Sequence, residues 1–131
     1  MTTPSILKFG DIDWVDESGE SGAPSALVEE AAKTGARRKR LVKGEGGFYC
    51  QYSSMPAGFA IPGHTHSFDE LLMVLSGGCT LTTDGVEGQI DLTARDSVVL
   101  AADHEYGFEV GPEGMEFVVI RTGDATSSFA G

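Results

Sequence analysis

From Arg37 onward, apolar residues come in short runs divided by turn residues, the rhythm of β-strands rather than helices. Phe48 to Ser53 carries aromatic residues suited to a strand. Glu70-Leu-Leu-Met-Val-Leu75 is a continuous apolar run, as a buried strand should be. Ser76-Gly77-Gly78 predicts a turn, Cys79 to Thr83 alternates weakly, and Asp84-Gly85 is a strong hairpin signal. Val86 to Leu92, Ser97 to Ala101, Tyr106 to Val110 and Met115 to Arg121 complete the set, with Gly111-Pro-Glu-Gly114 parting the last two. Upstream the pattern changes. Ile6 to Phe9 predicts a short strand, and Trp14 stands in an acidic loop, placed to pack on the β region or on a second subunit. Residues 24–35 predict one short helix: Pro24 near its start, Glu29 and Lys33 one turn apart, Gly35 as the stop. It is too short to stand alone, so it must dock. Strands at this spacing predict an all-β sandwich or barrel.

Composition narrows the class. The 131 residues suffice for one domain with a real core, and 40% apolar content with 18 glycines suits a turn-rich β protein. No apolar run approaches membrane-spanning length and no signal segment opens the chain, so a soluble cytoplasmic protein with no membrane partner is expected. Cys50 and Cys79 predict reduced, half-buried or core thiols rather than a disulfide framework. The net charge of −11 is uneven. Residues 1–43 hold seven acidic and seven basic side chains, whereas 44–131 hold thirteen acidic and two basic, Arg95 and Arg121. So acidic a surface excludes nucleic acid as a general partner. The basic run Arg37-Arg38-Lys39-Arg40 with Lys43 reads as a solvated strand or as partners for the acidic residues.

The candidate chemistry lies in Gly58-Phe-Ala-Ile-Pro-Gly-His64-Thr-His66-Ser-Phe-Asp-Glu70-Leu-Leu-Met-Val-Leu-Ser-Gly77. Imidazoles at i and i+2 on an extended segment face one side. The carboxylate four residues later closes one face of a coordination site, and such a set leaves positions on a metal open for exchange.

The spacing of Gly58, His64, His66, Glu70 and Gly77, with Pro62, resembles the first motif of the cupin superfamily. The resemblance covers about residues 45–122. It implies a double-stranded β-barrel of the jelly-roll kind, here with a short N-terminal helix. On this reading residues 1–43 form an arm of the same domain and 44–131 the cupin barrel. The family's second motif is eroded. In the best register Arg95 stands at its first glycine, Ala101 at the proline, Asp103 at the second glycine, Tyr106 at the third histidine and Val110 at the asparagine.

Register thus favours Tyr106 as the residue facing the metal. Chemistry favours His104, two positions earlier, because a neutral imidazole ligates readily near neutral pH whereas a phenol must lose a proton. We take His64, His66, Glu70 and His104 as expected ligands of one divalent transition metal (Mn, Fe, Ni, Cu or Zn) and Tyr106 as the catalytic or substrate-facing hydroxyl. The implied function is a metal-dependent small-molecule enzyme: dioxygenase, isomerase, lyase or decarboxylase. Two other classes fit the same residues, a non-catalytic small-molecule binding module and a structural cupin with an empty site. A homodimer is expected, because an isolated jelly roll leaves sheet edges open and Ile6, Phe9, Ile12 and Trp14 could cover one.

Overall fold

The computed structural model describes residues 3–16, 25–123 and 127–129. Pro24, placed at the helix start by sequence, lies outside them. The expected helix is α1, Ser25–Thr34. It docks through Leu27 and Ala31, both buried. It stops at Gly35, whose amide donates to the Ala31 carbonyl at φ +82°.

Among the described residues the remaining elements are β1 (Val15–Asp16), β2 (Arg37–Lys43), β3 (Tyr49–Met55), β4 (Ala60–His66), β5 (Glu70–Thr83), β6 (Ile90–Thr93), β7 (Ser97–Leu100), β8 (Tyr106–Arg121) and β9 (Ser127–Phe129), with 3₁₀ turns at Phe9–Asp11 and Glu45–Gly47. All strand pairs are antiparallel. One edge path runs β1-β2-β3-β8-β4-β9, and β5 pairs with β6, β7 and β8. β8 is the hub. It lies against β5 along its length, while its first half also pairs β4 and its second half β3. The result is the expected all-β jelly-roll barrel with a short helix.

Two predicted turns are instead bends inside long strands. Ser76-Gly77-Gly78 lies within β5, and Gly111-Pro-Glu-Gly114 within β8. The register shifts between Val74 and Ser76 and again between Gly77 and Cys79, so extra residues are absorbed as bulges. Glycine is required there. Gly77 has φ +69°, and a Cβ on it would lie 1.9 Å from the Gly114 carbonyl oxygen. Bent at this point, β5 and β8 serve both halves of the barrel.

Two N-terminal expectations are corrected. Ile6 to Phe9 forms no strand; the chain turns at Phe9–Asp11. Residues 37–40 are not simply a solvated strand, because Arg38 and Lys39 are buried. The Lys39 ammonium donates to the Phe9 carbonyl at 2.7 Å and lies 3.8 Å from the Phe9 ring centre. Phe9, Trp14 and Tyr52 meet edge to face, and the Arg37 guanidinium stacks on Trp14 at 4.2 Å. Trp14 therefore packs on its own barrel. Among the described residues no helix is long and apolar enough to cross a membrane.

The core is Leu72, Val74, Leu81, Phe108, Val110, Met115, Phe117 and Val119 with their neighbours. Alternation continues these rows into a polar end. Register aligns Ser53, Phe117 and Val74, then Gln51, Val119 and Leu72, then Tyr49, Arg121 and Glu70 across β3, β8 and β5.

Candidate functional site

β4 alternates so that His64 and His66 point inward and both are buried. β4 and β8 approach closely because Gly107 has no side chain; a Cβ there would lie 2.8 Å from the Ile61 carbonyl oxygen. That approach pairs His64 with Tyr106 and brings their ring centres to 4.3 Å. His66 lies 4.8 Å from His64, ring to ring. Glu70 opens β5 and is 2% exposed.

The structure brings His64, His66, Glu70 and Tyr106 together and adds Arg121, which the sequence reading left unassigned. The Tyr106 hydroxyl donates to Glu70 Oε2. Arg121 Nε donates to Glu70 Oε1 at 2.9 Å. His66 Nε2 lies 3.2 Å from the Tyr106 oxygen, 3.4 Å from Glu70 Oε1 and 3.3 Å from Arg121 Nη2. A guanidinium has only donors, so the last contact is a hydrogen bond when Nε2 carries the lone pair and the ring proton is on Nδ1. His64 is oriented from behind, its Nδ1–H donating to the Pro62 carbonyl at 2.9 Å. Glu70 and Arg121 form a buried ion pair, at 2% and 3% exposure. Taking both charges out of water costs several kcal/mol per ion, so the pair persists only with its partners in place.

Behind Arg121 a second polar layer runs along β2 and β3. The Arg121 guanidinium lies 5.0 Å from the Tyr49 ring centre. The Tyr49 hydroxyl donates to Gln51 Oε1 at 2.7 Å and accepts from Arg40 Nε at 3.2 Å. Arg38 also donates to Gln51 Oε1, and Gln51 Nε2 donates to Ser53. Burial raises the Tyr49 pKa, and the nearby positive charges of Arg38, Arg40 and Arg121 partly oppose this.

His104 stands apart from this cluster. It lies in the loop between β7 and β8, and its Nε2 engages the Asp84 carbonyl oxygen at 2.7 Å. The expectation that it shares a face with Tyr106 required an extended chain. Asp103 instead takes φ +63°, in a turn tied down by its backbone N–H donating to the His66 carbonyl and by Ala102 N–H donating to Asp69. Arg95 and Asp103 are the non-glycine residues with positive φ among those described. Both stand where the second motif has glycine, so the left-handed turns survive the loss of the glycines and Tyr106 keeps the inward register position.

These side chains do not fit a metal as they are arranged. Two imidazoles, a carboxylate and a phenol are suitable donors in kind. Yet both oxygens of Glu70 are already engaged, and a permanent cation lies against His66 Nε2. Among the described residues no three His, Cys, Asp or Glu side chains are grouped so as to hold an ion. The thiols lie outside the site: Cys50 and Cys79 are both free, and burial with Asp91 nearby pushes the Cys79 pKa up to about 11.

No curated protein matches the chain. Among solved structures it is similar to a sugar phosphate isomerase from a cupin superfamily of Silicibacter pomeroyi, with TM-score 0.72 and 22% identity over 96% of this chain and 82% of that one. It is similar also to the DMSP lyase DddQ of Ruegeria pomeroyi, at 0.71 and 18% over 92% and 62%, and to the polyketide cyclase RemF of Streptomyces resistomycificus, at 0.68 and 16% over 91% and 79%. At such identities the likeness speaks to the fold. The family model for the Cupin domain matches residues 51–124, more than half of the chain, and with the barrel on the same residues the chain belongs to the cupin family.

Proposed function

We infer that this cupin is a small-molecule enzyme whose reaction is carried by His64, His66, Glu70 and Tyr106 inside the barrel. One observation carries the reading. The hydroxyl of buried Tyr106 donates to a buried carboxylate and lies 3.2 Å from a buried imidazole nitrogen at the end of an apolar core. A core needs no such cluster for packing, and titratable groups gathered in a barrel interior are the usual mark of chemistry. The cluster is suited to proton transfer. Tyr106 gives a proton to substrate or takes one, Glu70 and His66 share the load, and Arg121 offsets the negative charge that develops. This favours an isomerase or lyase acting on a small carbonyl or oxyanionic compound. The solved relatives carry names of an isomerase, a lyase and a cyclase, three chemistries on one barrel, so the fold leaves the choice to the site.

The test uses thermal shift and turnover with a panel of small carboxylates, sugar phosphates and carbonyl compounds. A compound that raises the melting temperature is expected to be converted, and Tyr106→Phe, which keeps the ring, is expected to lower turnover by roughly a hundredfold. A ligand bound equally well by wild type and Tyr106→Phe, with no turnover in either, would instead make the chain a non-catalytic binding module.

A divalent metal on this site is the second reading. Cupin domains often bind one. His64 also favours it, because an imidazole that donates Nδ1–H to a backbone carbonyl is oriented as ligating histidines are. His64, His66 and Glu70 would hold the ion, and the ion would supply Lewis acidity; Arg121 would first have to withdraw. A homodimer belongs to the same proposal.

A further inference from the structure

We propose that Arg121 takes the place of the metal: its guanidinium is the fixed cation of this site, and this one side chain is what keeps a divalent ion out. The inference rests on the reading that the His64–Tyr106 cluster is the functional site, and it names the charge that serves it.

Three observations converge. Arg121 is placed by strand register directly opposite Glu70, the carboxylate that the first motif offers to a metal. Its Nε takes Glu70 Oε1, and its Nη2 lies 3.3 Å from the His66 nitrogen that a metal would use. The guanidinium therefore engages the same lone pairs that an ion would need. The charge is also accounted for. Glu70 and Arg121 are neutral together, whereas adding a dication beside Arg121 would put three positive charges against one carboxylate in a water-poor interior. Arginine cannot relieve this by losing its proton, since a guanidinium stays protonated throughout the pH range in which proteins fold. Finally, Arg121 is held from behind by the Tyr49 ring at 5.0 Å and is only 3% exposed, so its charge is shielded from bulk water. A divalent ion must evict a packed, paired, permanently charged group.

The consequence for chemistry is specific. A metal polarises substrate by direct bonding and can exchange ligands. A guanidinium acts through hydrogen bonds and charge alone. The ligand class it suits is a small carboxylate or a carbonyl compound that becomes an oxyanion during reaction.

The experiment measures metal in untagged wild-type protein by elemental analysis, then titrates chelated protein with Zn²⁺, Mn²⁺ and Ni²⁺ by calorimetry. Wild type is expected to hold metal far below one ion per chain, and chelator should leave its melting temperature unmoved. Arg121→Ala and the more conservative Arg121→Met should then gain one Zn²⁺ per chain, bound at least roughly tenfold tighter than by wild type. Adding His66→Ala should remove the gain. Stoichiometric metal in wild type would overturn the proposal, and so would a folded Arg121→Met that binds no better than wild type. If neither variant folds, Arg121→Gln, which keeps a hydrogen-bonding side chain without the charge, is titrated in their place: uptake of one Zn²⁺ per chain supports the proposal and none overturns it. Turnover plays no part in these readings, so failure here is separate from failure of the proposed acid–base role of Tyr106.

Discussion

Glu70 is the residue on which the site turns, because it accepts from both Arg121 and Tyr106 while almost fully buried. Removing one member of a buried pair is costlier than replacing both, since the survivor is left charged without a partner. Glu70→Ala is therefore expected to destabilise the fold by about 3–5 kcal/mol in urea denaturation. Glu70→Ala combined with Arg121→Met should lose less than the sum of the two single changes. A single-variant loss no larger than that of a surface substitution would show that the pair carries no such load. His64, His66 and Glu70 were legible in sequence because their relation is local, two and four positions along one strand and turn. Arg121 was not, since its partner Glu70 is 51 positions away and a terminal arginine resembles a surface residue. A signal was nevertheless present. Met115, Phe117 and Val119 alternate inward, and the same parity carries Arg121 to the interior. The choice between His104 and Tyr106 required the backbone of Asp103, whose left-handed turn separates the two faces that an extended chain would have merged.

At the scale of elements, the sequence pattern places strand ends well where an apolar run stops at a true turn, as at Thr83 before Asp84-Gly85 or at Leu100, although the strand expected over Val86 to Leu92 begins only at Ile90. The pattern misleads where glycine marks a bulge, because Gly77 and Gly78 have the composition of a turn but the pairing of a strand, and Gly114 lies within β8. The difference is tertiary: β5 and β8 are long enough to serve both halves of the barrel, and they bend where a side chain would collide with the opposite backbone. Gly77→Ala is accordingly expected to cost about 2 kcal/mol or more, from the φ of +69° and from the clash with the Gly114 carbonyl. Gly85→Ala meets open space at φ +83° and should cost only about 1 kcal/mol, the conformational part alone. Equal losses in matched thermal melts would mean that the close approach of β5 to β8 is unimportant. The helix shows the opposite case, since its stop is set locally at Gly35, where the chain turns at φ +82°.

At the scale of the molecule, the N-terminal segment that was expected to cover an edge of the barrel or of a partner lies on its own barrel, with Phe9 and Trp14 roofing Lys39 and Tyr52. The case for a homodimer therefore moves to the outer sheet face. Register places Val99, Leu71, Ile120, Cys50 and Val42 in one row across β7, β5, β8, β3 and β2. Val99 is 74% exposed and Ile120 36%, and no residue of the row is charged. A chain of net charge −11 repels its own copies, and that repulsion is felt less across a strip with no charged side chain. In a two-fold interface each residue occurs twice, so one added carboxylate is felt as two. Wild type is expected to scatter light as a dimer at micromolar concentration, and Val99→Glu with Ile120→Glu as a monomer with the fold and thiol content unchanged. A wild-type monomer would remove the dimer from the proposal; a dimer that persists in the double variant would place its interface away from this row, on a surface that tolerates the chain's acidity.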